Sequence, residues 1–390
     1  MDFEFDYDRE SPFQPGIPVS PDKFMGRKKT IEHILRHVTP AIKGQTQHFF
    51  LTGKRRMGKT SLTDFVKDYV DYSKNMIGVY VSNKGNNSIE ILTKEIIEAL
   101  INELPPYSRM DKIKKCFGNH IESIELNGTK ITFEVDKKMM KNFKNYFPDH
   151  ILEIYKNFPQ DSGILIIIDD INGISKTREF ADWYKKLADT LAVSNHYYLP
   201  VYFLLAGYPE KFEELVIHEE SFGSIFDYDF IDCLSDEEVI EFFKNTFNQV
   251  NIEISDEALE IMTLFSSGVP LMMQQIGDSI FWICQDNYIT KEDAINGIID
   301  AANMIGTRQI KPILKRVRIK KYGKILNFLA DNNLLSFNRL HIKENMDIDE
   351  NSLDEFLSNM VDAGIFEFKE DKYQFANKLY YTYFLVNSIK

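Results

Sequence analysis

Gly53-Lys54-Arg55-Arg56-Met57-Gly58-Lys59-Thr60 is the stretch whose reading decides the fold. It follows the apolar run His48-Phe49-Phe50-Leu51 and precedes the helix-like segment Ser61-Leu62-Thr63-Asp64-Phe65-Val66. Strand, glycine loop and helix are the context that a P-loop needs. Glycine at both ends lets the backbone bend until several N–H groups face inward, and the helix N-terminus adds partial positive charge. An anionic phosphate suits that cradle. The spacing predicts that Lys59 reaches the β- and γ-phosphates and that the Thr60 hydroxyl ligates Mg²⁺. The residues of the cradle are Gly53, Lys54, Arg55, Arg56, Met57, Gly58, Lys59, Thr60 and Ser61. Arg55 and Arg56 are unusual cations for such a loop.

The surrounding chain has 390 residues, 44% hydrophobic and 27% charged, which predicts two or three globular domains. A net charge of −13 argues against a protein that coats nucleic acid or anionic membrane with its whole surface. Cys116, Cys233 and Cys284 are scattered and form no C-x-x-C pair, so neither zinc nor a redox site is expected from them. Reduced thiols, an acidic N-terminus without a signal peptide's basic start, and apolar runs no longer than strands predict a cytoplasmic, non-membrane protein.

Outward from the loop, the chain alternates strand and helix. Residues 1–22 read as an extended, Pro-rich arm with Phe13, Ile17 and Val19 as apolar anchors. A helix is expected from Thr30 to about Val38, a strand at Met76–Val81 and a helix from Ser88 to about Leu104, stopped by Pro105-Pro106. Alternation around Asn127-Gly128 predicts a hairpin, read as an insertion at about 118–137, with a helix from about Pro148 to Phe158 after it. Ile164–Ile168 and Val201–Leu205 are continuous apolar runs of the kind that fills a parallel strand buried on both faces. The expectation for 23–228 is therefore a doubly wound α/β domain, with ligands at the C-terminal ends of its strands. From about Phe230 the strands stop and residues 229–307 read as a small helical domain. Residues 308–324 carry eight Lys/Arg and no Asp/Glu, and 308–390 as a whole reads basic linker, three helices and a β-ribbon, the winged-helix order.

Ile164–Ile168 ends in Asp169-Asp170. Asp169 is placed to hold Mg²⁺ alongside Thr60, and Asp170 to polarise an attacking water as general base. Asp170 is one methylene shorter than the Glu often found there, and the other reading is that it caps the segment that follows. At the end of the next strand, Ala206-Gly207-Tyr208-Pro209 leaves either Tyr208 or a backbone N–H to orient phosphate and water. No arginine occurs between Arg178 and Arg308, so a trans-acting arginine has only Arg178, Arg308, Arg316 and Arg318 as candidates.

Ser11-Pro12-Phe13, Gly16–Val19, Phe24-Met25-Gly26-Arg27, the loop itself, Leu204–Glu210 and Ser266-Ser267-Gly268-Val269-Pro270 together resemble archaeal-type AAA+/STAND ATPases. Those are related more distantly to the origin-recognition initiator ATPases, which also end in a winged helix. The resemblance implies that Phe24, Met25, Gly26 and Arg27 lie by the adenine. It also implies that Pro270 sits in a helical lid that closes over base and ribose. The sensor arginine of initiators is not matched near Pro270, and no arginine fills the finger position.

The resulting expectation is an ATP/ADP- and Mg²⁺-binding ATPase that acts as a slow nucleotide-controlled switch. An ATP-regulated DNA-binding protein of the replication-initiator or transcription-regulator type, using 308–324, is the alternative. A scaffold that keeps ATP without hydrolysing it is a third reading. A homo-oligomeric or other protein partner stays open.

Overall fold

A computed structural model describes residues 9–45, 47–73, 76–159, 161–193, 199–316 and 322–387. Two compact units emerge: Pro18–Asp232, and Cys233–Lys390 together with the arm up to Ile17.

The first unit runs α1 (Lys28–Leu35), α2 (Val38–Ile42), β1 (His48–Gly53), α3 (Lys59–Ser73), β2 (Met76–Ser82), α4 (Ile89–Glu103) and α5 (Pro106–Phe117). The hairpin β3 (Ile121–Asn127) and β4 (Lys130–Val135) follows, then α6 (Lys137–Tyr155) and β5 (Gly163–Asp169). Last come α7 (Arg178–Val193), β6 (Val201–Gly207), α8 (Pro209–His218), α9 (Phe222–Ile225) and β7 (Phe226–Ile231). Five strands form one parallel sheet in the order β2-β5-β6-β1-β7. Every residue of β1, β5 and β6 is buried, as continuous apolar runs require in a sheet covered on both faces. The chain order changes direction between β6 and β1, so the crevice lies at the C-terminal ends where Gly53, Asp169 and Gly207 stand.

Three expectations change here. One strand goes beyond the expectation: β7, just before the point near Phe230 where the large sheet ends, is its fifth strand, paired in parallel with β1 from His48↔Phe226 to Gly53↔Ile231. Its alternation of aromatic and acidic residues, with only the ends buried, is that of an edge strand with polar positions in it. Pro106 does not only stop α4; it is the first residue of α5. The helix expected from Pro148 begins at Lys137, with the Asp136 carboxylate accepting the Met139 N–H at 2.7 Å as N-cap. Pro148 is interior and has no N–H for the Lys144 carbonyl one turn back. The Trp183 indole N–H of α7 donates to that carbonyl at 3.2 Å, so the orphaned acceptor is satisfied from a neighbouring helix. The hairpin is present and packs on α4, with Phe133 stacked on Phe117 of α5, which in turn stacks on Phe143 of α6.

The second unit runs α10 (Asp236–Asn248), β8 (Glu253–Ile254), α11 (Asp256–Ser266), α12 (Pro270–Ile283), β9 (Tyr288–Ile289), α13 (Lys291–Ile305) and α14 (Lys311–Arg316). It continues with α15 (Gly323–Asp331), β10 (Ser336–Phe337), α16 (Arg339–Asn345), α17 (Glu350–Asp362), β11 (Phe366–Lys369), β12 (Lys372–Phe375) and α18 (Lys378–Val386). Ser235–Glu238 forms the capping box of α10. β10, β12 and β11 make a small antiparallel sheet. α18, which the sequence does not lead one to expect, packs on α13 and α15.

The arm belongs to this second unit up to Ile17. Phe13 is 4% exposed, its ring 4.8 Å from that of Phe247 and 5.9 Å from that of Phe242. The Arg9 guanidinium donates to the carbonyls of Phe281, at 2.6 Å, and Cys284, where a cation is favoured at the C-terminus of α12. Of the three expected anchors, Phe13 is buried, whereas Ile17 is 64% exposed. Val19 belongs to the first unit and gives its N–H to Ser61 Oγ at 3.1 Å.

Candidate functional site

The loop between β1 and α3 turns through two left-handed residues, one a glycine that adopts this conformation freely and one an arginine for which it is uncommon. Gly58 has φ +83° and Arg56 φ +73°, both left-handed, and the turn they form carries the chain from β1 into the N-terminus of α3. Lys54 and Arg55 are exposed, Arg56 is half-buried and Met57 is buried.

Lys59, at the first position of α3, donates to the carbonyls of Gly53 and of Lys54, the latter at 2.9 Å. Its ammonium sits 5.0 Å from the centre of the Tyr208 ring. Burial pulls the amine down to about 8, while Asp169, Asp170 and Glu210 pull in the opposite direction. A cation held partly desolvated in this way is primed for an anionic partner.

Asp169, at the C-terminal end of β5, is 5% exposed and receives three hydrogen bonds. The Thr60 hydroxyl donates to Oδ2 at 2.6 Å, the Tyr80 hydroxyl to the same oxygen at 2.8 Å, and the Asp170 N–H to Oδ1 at 2.9 Å. Burial, then Asp169 itself, pushes the Tyr80 phenol up, so it stays a donor. Asp64, one turn beyond Thr60, is also raised, first by burial and then by Asp169, against an opposing pull from Lys67. Thr60 and Asp169 offer a hydroxyl and a carboxylate oxygen side by side, the hard donor set that suits Mg²⁺.

Asp170 has φ +57°, a conformation rare for a non-glycine residue. Asn172 Nδ2 donates to its carboxylate, and Asn172 Oδ1 accepts the Tyr208 N–H at 2.8 Å. The Tyr208 backbone N–H is therefore engaged by Asn172, and its ring faces Lys59. Ile171 N–H to Ala206 O at 3.1 Å adds a second tie between the ends of β5 and β6.

The structure thus brings Lys59, Thr60, Asp169 and Tyr208 together, with Asp170 close enough to act on the Lys59 charge. Phe24 stacks on Phe65 of α3 at 5.0 Å and 27°. Gly26 and Arg27 are both left-handed, and the Arg27 guanidinium donates to the Met57 carbonyl at 3.4 Å and to the Asp232 carbonyl. The Phe24–Arg27 segment is thereby fastened to the loop and to α3. Pro270 lies in the other unit, at the first position of α12. Before it, Gly268 has φ +65°, and a Cβ there would come within 2.3 Å of the Leu234 carbonyl oxygen, so glycine is required on both counts.

Arg178 pairs with Asp182 at 3.7 Å on the surface of α7, and Arg308 contacts Gln275 at 3.4 Å inside its own unit. Arg316 is the last residue of α14. Arg318 lies outside the described residues, as does 317–321 of the basic run. Tyr80 and Asn172 are not legible in the sequence as site residues. A strand tyrosine and a loop asparagine have common structural uses, and only their hydrogen bonds mark them.

No family model matches the sequence, and no curated protein is similar to it in sequence. Solved structures do share its architecture, that of an α/β P-loop fold of the AAA+ kind. A Walker-type ATPase of Pyrococcus abyssi superimposes with a TM-score of 0.56 at 14% identity, over 96% of this chain and 99% of the other. The ORC2 protein of Aeropyrum pernix, solved in ADPNP–ADP complexes, gives 0.58 at 10% identity over 94% of each chain. The Cdc6p protein of Pyrobaculum aerophilum gives 0.51 at 11% identity, over 96% of this chain and 97% of that one. At such identities the likeness is one of fold. Among the described residues no helix is long and apolar enough to cross a membrane.

Proposed function

We propose that the chain binds ATP with Mg²⁺ and hydrolyses it slowly, as a nucleotide-controlled switch of the AAA+/STAND type. The observation that carries the reading is the Thr60–Asp169 hydrogen bond beside a half-buried Lys59, at the end of a P-loop strand. Lys59 binds the β- and γ-phosphates when it leaves the Gly53 and Lys54 carbonyls. Thr60 and Asp169 hold Mg²⁺, which neutralises charge on the phosphate oxygens. Asp170 orients and deprotonates the attacking water, and Asn172 fixes the Asp170 carboxylate in place. Phe24–Arg27 borders the base, and the unit containing Pro270 acts as lid and winged-helix reporter of the nucleotide state. The chain works in the cytoplasm. The nucleotide complexes of the Aeropyrum pernix structure support the ligand assignment. ATP affinity and turnover, measured on the chain and on Lys59→Ala, test the proposal: both should fall sharply, and values equal to wild type overturn it.

A DNA-binding reading has one observation behind it, the likeness to an ORC protein combined with the basic run 308–324. Against it, the third helix of the terminal segment, α17, presents Asp354 and Glu355 and pairs Asp354 with Arg339 at 2.9 Å. Duplex binding that weakens steeply with salt and disappears when the Lys and Arg residues of 311–324 are neutralised is the expectation of that reading.

A further inference from the structure

A second group of ligand-type atoms lies at the opposite end of the sheet from the loop. His33 in α1 and His37 just before α2 are four residues apart, on successive turns. Asp227 is the second residue of β7. His33 Nε2 is 2.8 Å, and His37 Nε2 3.0 Å, from the same oxygen, Asp227 Oδ2. The Phe49 ring closes one wall, its centre 5.0 Å from His33 and 5.8 Å from His37. The side chains of His33, His37 and Asp227 remain 29%, 14% and 33% exposed, so the group is open to solvent on one side.

Tetrahedral zinc with bonds of about 2.0–2.1 Å sets neighbouring ligand atoms roughly 3.3 Å apart. The two spacings to Asp227 Oδ2 are close to that, the three ligand atoms all lie within 4.8 Å of one another, and a cation needs each imidazole to withdraw from the carboxylate by only a few tenths of an ångström. The hydrogen bonding around His33 also accommodates one. If neutral His33 donates from Nε2 to Asp227, its Nδ1 is a bare lone pair, 3.9 Å from the Asp229 carboxylate. Two acceptors then face each other. A cation on Nε2 reverses this: Nδ1 carries the proton and turns it toward Asp229, the carboxylate–histidine–metal arrangement that orients ligands in metal sites. Asp227 and Asp229, two apart on one strand, project to the same face.

We propose that His33 Nε2, His37 Nε2 and Asp227 Oδ2 bind one divalent cation of the zinc class, with water as fourth ligand and Asp229 orienting His33. Two imidazoles and one carboxylate select Zn²⁺, Co²⁺ or Ni²⁺ over Mg²⁺. The site is separate from the Thr60–Asp169 pair. Asp227 partners Phe49 and Ile231 partners Gly53, four residues further on, roughly 13 Å along the strands at 3.3 Å per residue. Its effect is to clamp the α1–α2 turn to the free edge of the sheet.

The test uses the full chain without an affinity tag. Co²⁺ titrated in a large excess of Mg²⁺, which occupies the nucleotide site, should give visible ligand-field bands saturating at one ion per chain. Zn²⁺ should displace the bands and raise the melting temperature. His33→Ala and His37→Ala should each lose the bands, and Asp227→Asn should weaken binding at least tenfold. His37→Gln, which keeps most of the side-chain volume, should lose them too while its far-ultraviolet circular dichroism matches wild type. X-ray absorption on the zinc-loaded wild type should show two imidazole nitrogens. No bound Co²⁺, displacement by Mg²⁺, or unchanged stoichiometry and affinity in the histidine variants overturns the proposal.

Discussion

The Asn172 side-chain oxygen accepts the Tyr208 backbone N–H at 2.8 Å. Since the amide of the same side chain donates to Asp170, one residue ties the end of β5 to the end of β6 and fixes a carboxylate between them. Asn172→Ala should cost about 1–2 kcal/mol in urea unfolding, the range for lost hydrogen bonds that leave partners unmatched. ATP turnover should fall more than ATP affinity does. Turnover equal to wild type would remove Asn172 from the positioning of Asp170.

Lys59 gives a proton signature. With its amine at about 8, roughly a quarter of the molecules carry the charge at pH 8.5. An anionic phosphate favours the charged form, so binding at that pH should take up a substantial fraction of a proton. Calorimetry of ATP binding in buffers of different ionisation enthalpy measures the uptake. Lys59→Met should abolish it, and a null uptake in the wild type shows that the amine is already charged before ATP binds. For folding the sign is separate: the native state holds fewer protons than the unfolded chain between about pH 8 and 10.5, so Lys59 makes stability rise with pH there.

His48 sets an acid limit. It is fully buried, its Nδ1 accepts the Phe203 N–H at 3.2 Å, and burial, with His37 adding to it, pulls the imidazole down to about 3. The unfolded chain takes up this proton below about pH 6.5 and the native chain does not, so stability falls as pH drops from 6.5 toward 3. Between pH 6.5 and 5 the loss is at most about 2 kcal/mol from this residue. His48→Gln, which keeps an acceptor, should flatten that slope in urea titrations at the two pH values. His150, pulled down to about 4 by burial, acts in the same direction and remains in the variant.

Trp183 and Pro148 should be coupled through the Lys144 carbonyl. Trp183→Phe strands that acceptor, at about 1 kcal/mol beyond any packing loss. In a Pro148→Ala background the backbone regains an N–H at that position and with it the helical donor, so the same substitution should cost measurably less. Equal costs in both backgrounds would show that the indole bond contributes nothing to stability.

Phe13→Ala should destabilise the unit containing 233–390 by about 3 kcal/mol, the usual cost of emptying a buried phenylalanine site. Hydrogen exchange in α10 and α12 should accelerate, while that of β1 and β5 is unchanged.

What the sequence discloses depends on how buried each element is. β1, β5 and β6 announce themselves as unbroken apolar runs because both of their faces are covered. β7 escapes because an edge strand with Asp227 and Asp229 on one face looks like a polar loop. The start of α6 is hidden because proline at a helix start is the ordinary case; an interior Pro148 is tolerated through a donor 39 residues away in sequence from the acceptor it serves. Lys59 and Thr60 are readable because a glycine loop between strand and helix carries a recognisable residue pattern, and Asp169 because it ends an unbroken apolar run; the structure brings the three together. Asn172 and Tyr80 act through tertiary hydrogen bonds, and no local pattern encodes those.

The chain has two tryptophans, and the fold assigns one to each compact unit. Trp183 is partly shielded between α6 and α7 with its N–H bonded, whereas Trp282 is 44% exposed with the Arg9 guanidinium 5.9 Å from its ring. The molecule therefore carries its own pair of fluorophores in different surroundings. With Trp183→Phe the emission reports on the C-terminal unit alone, and with Trp282→Phe on the α/β unit alone. Whether nucleotide is felt in one unit or both becomes a matter of two spectra, with no label attached.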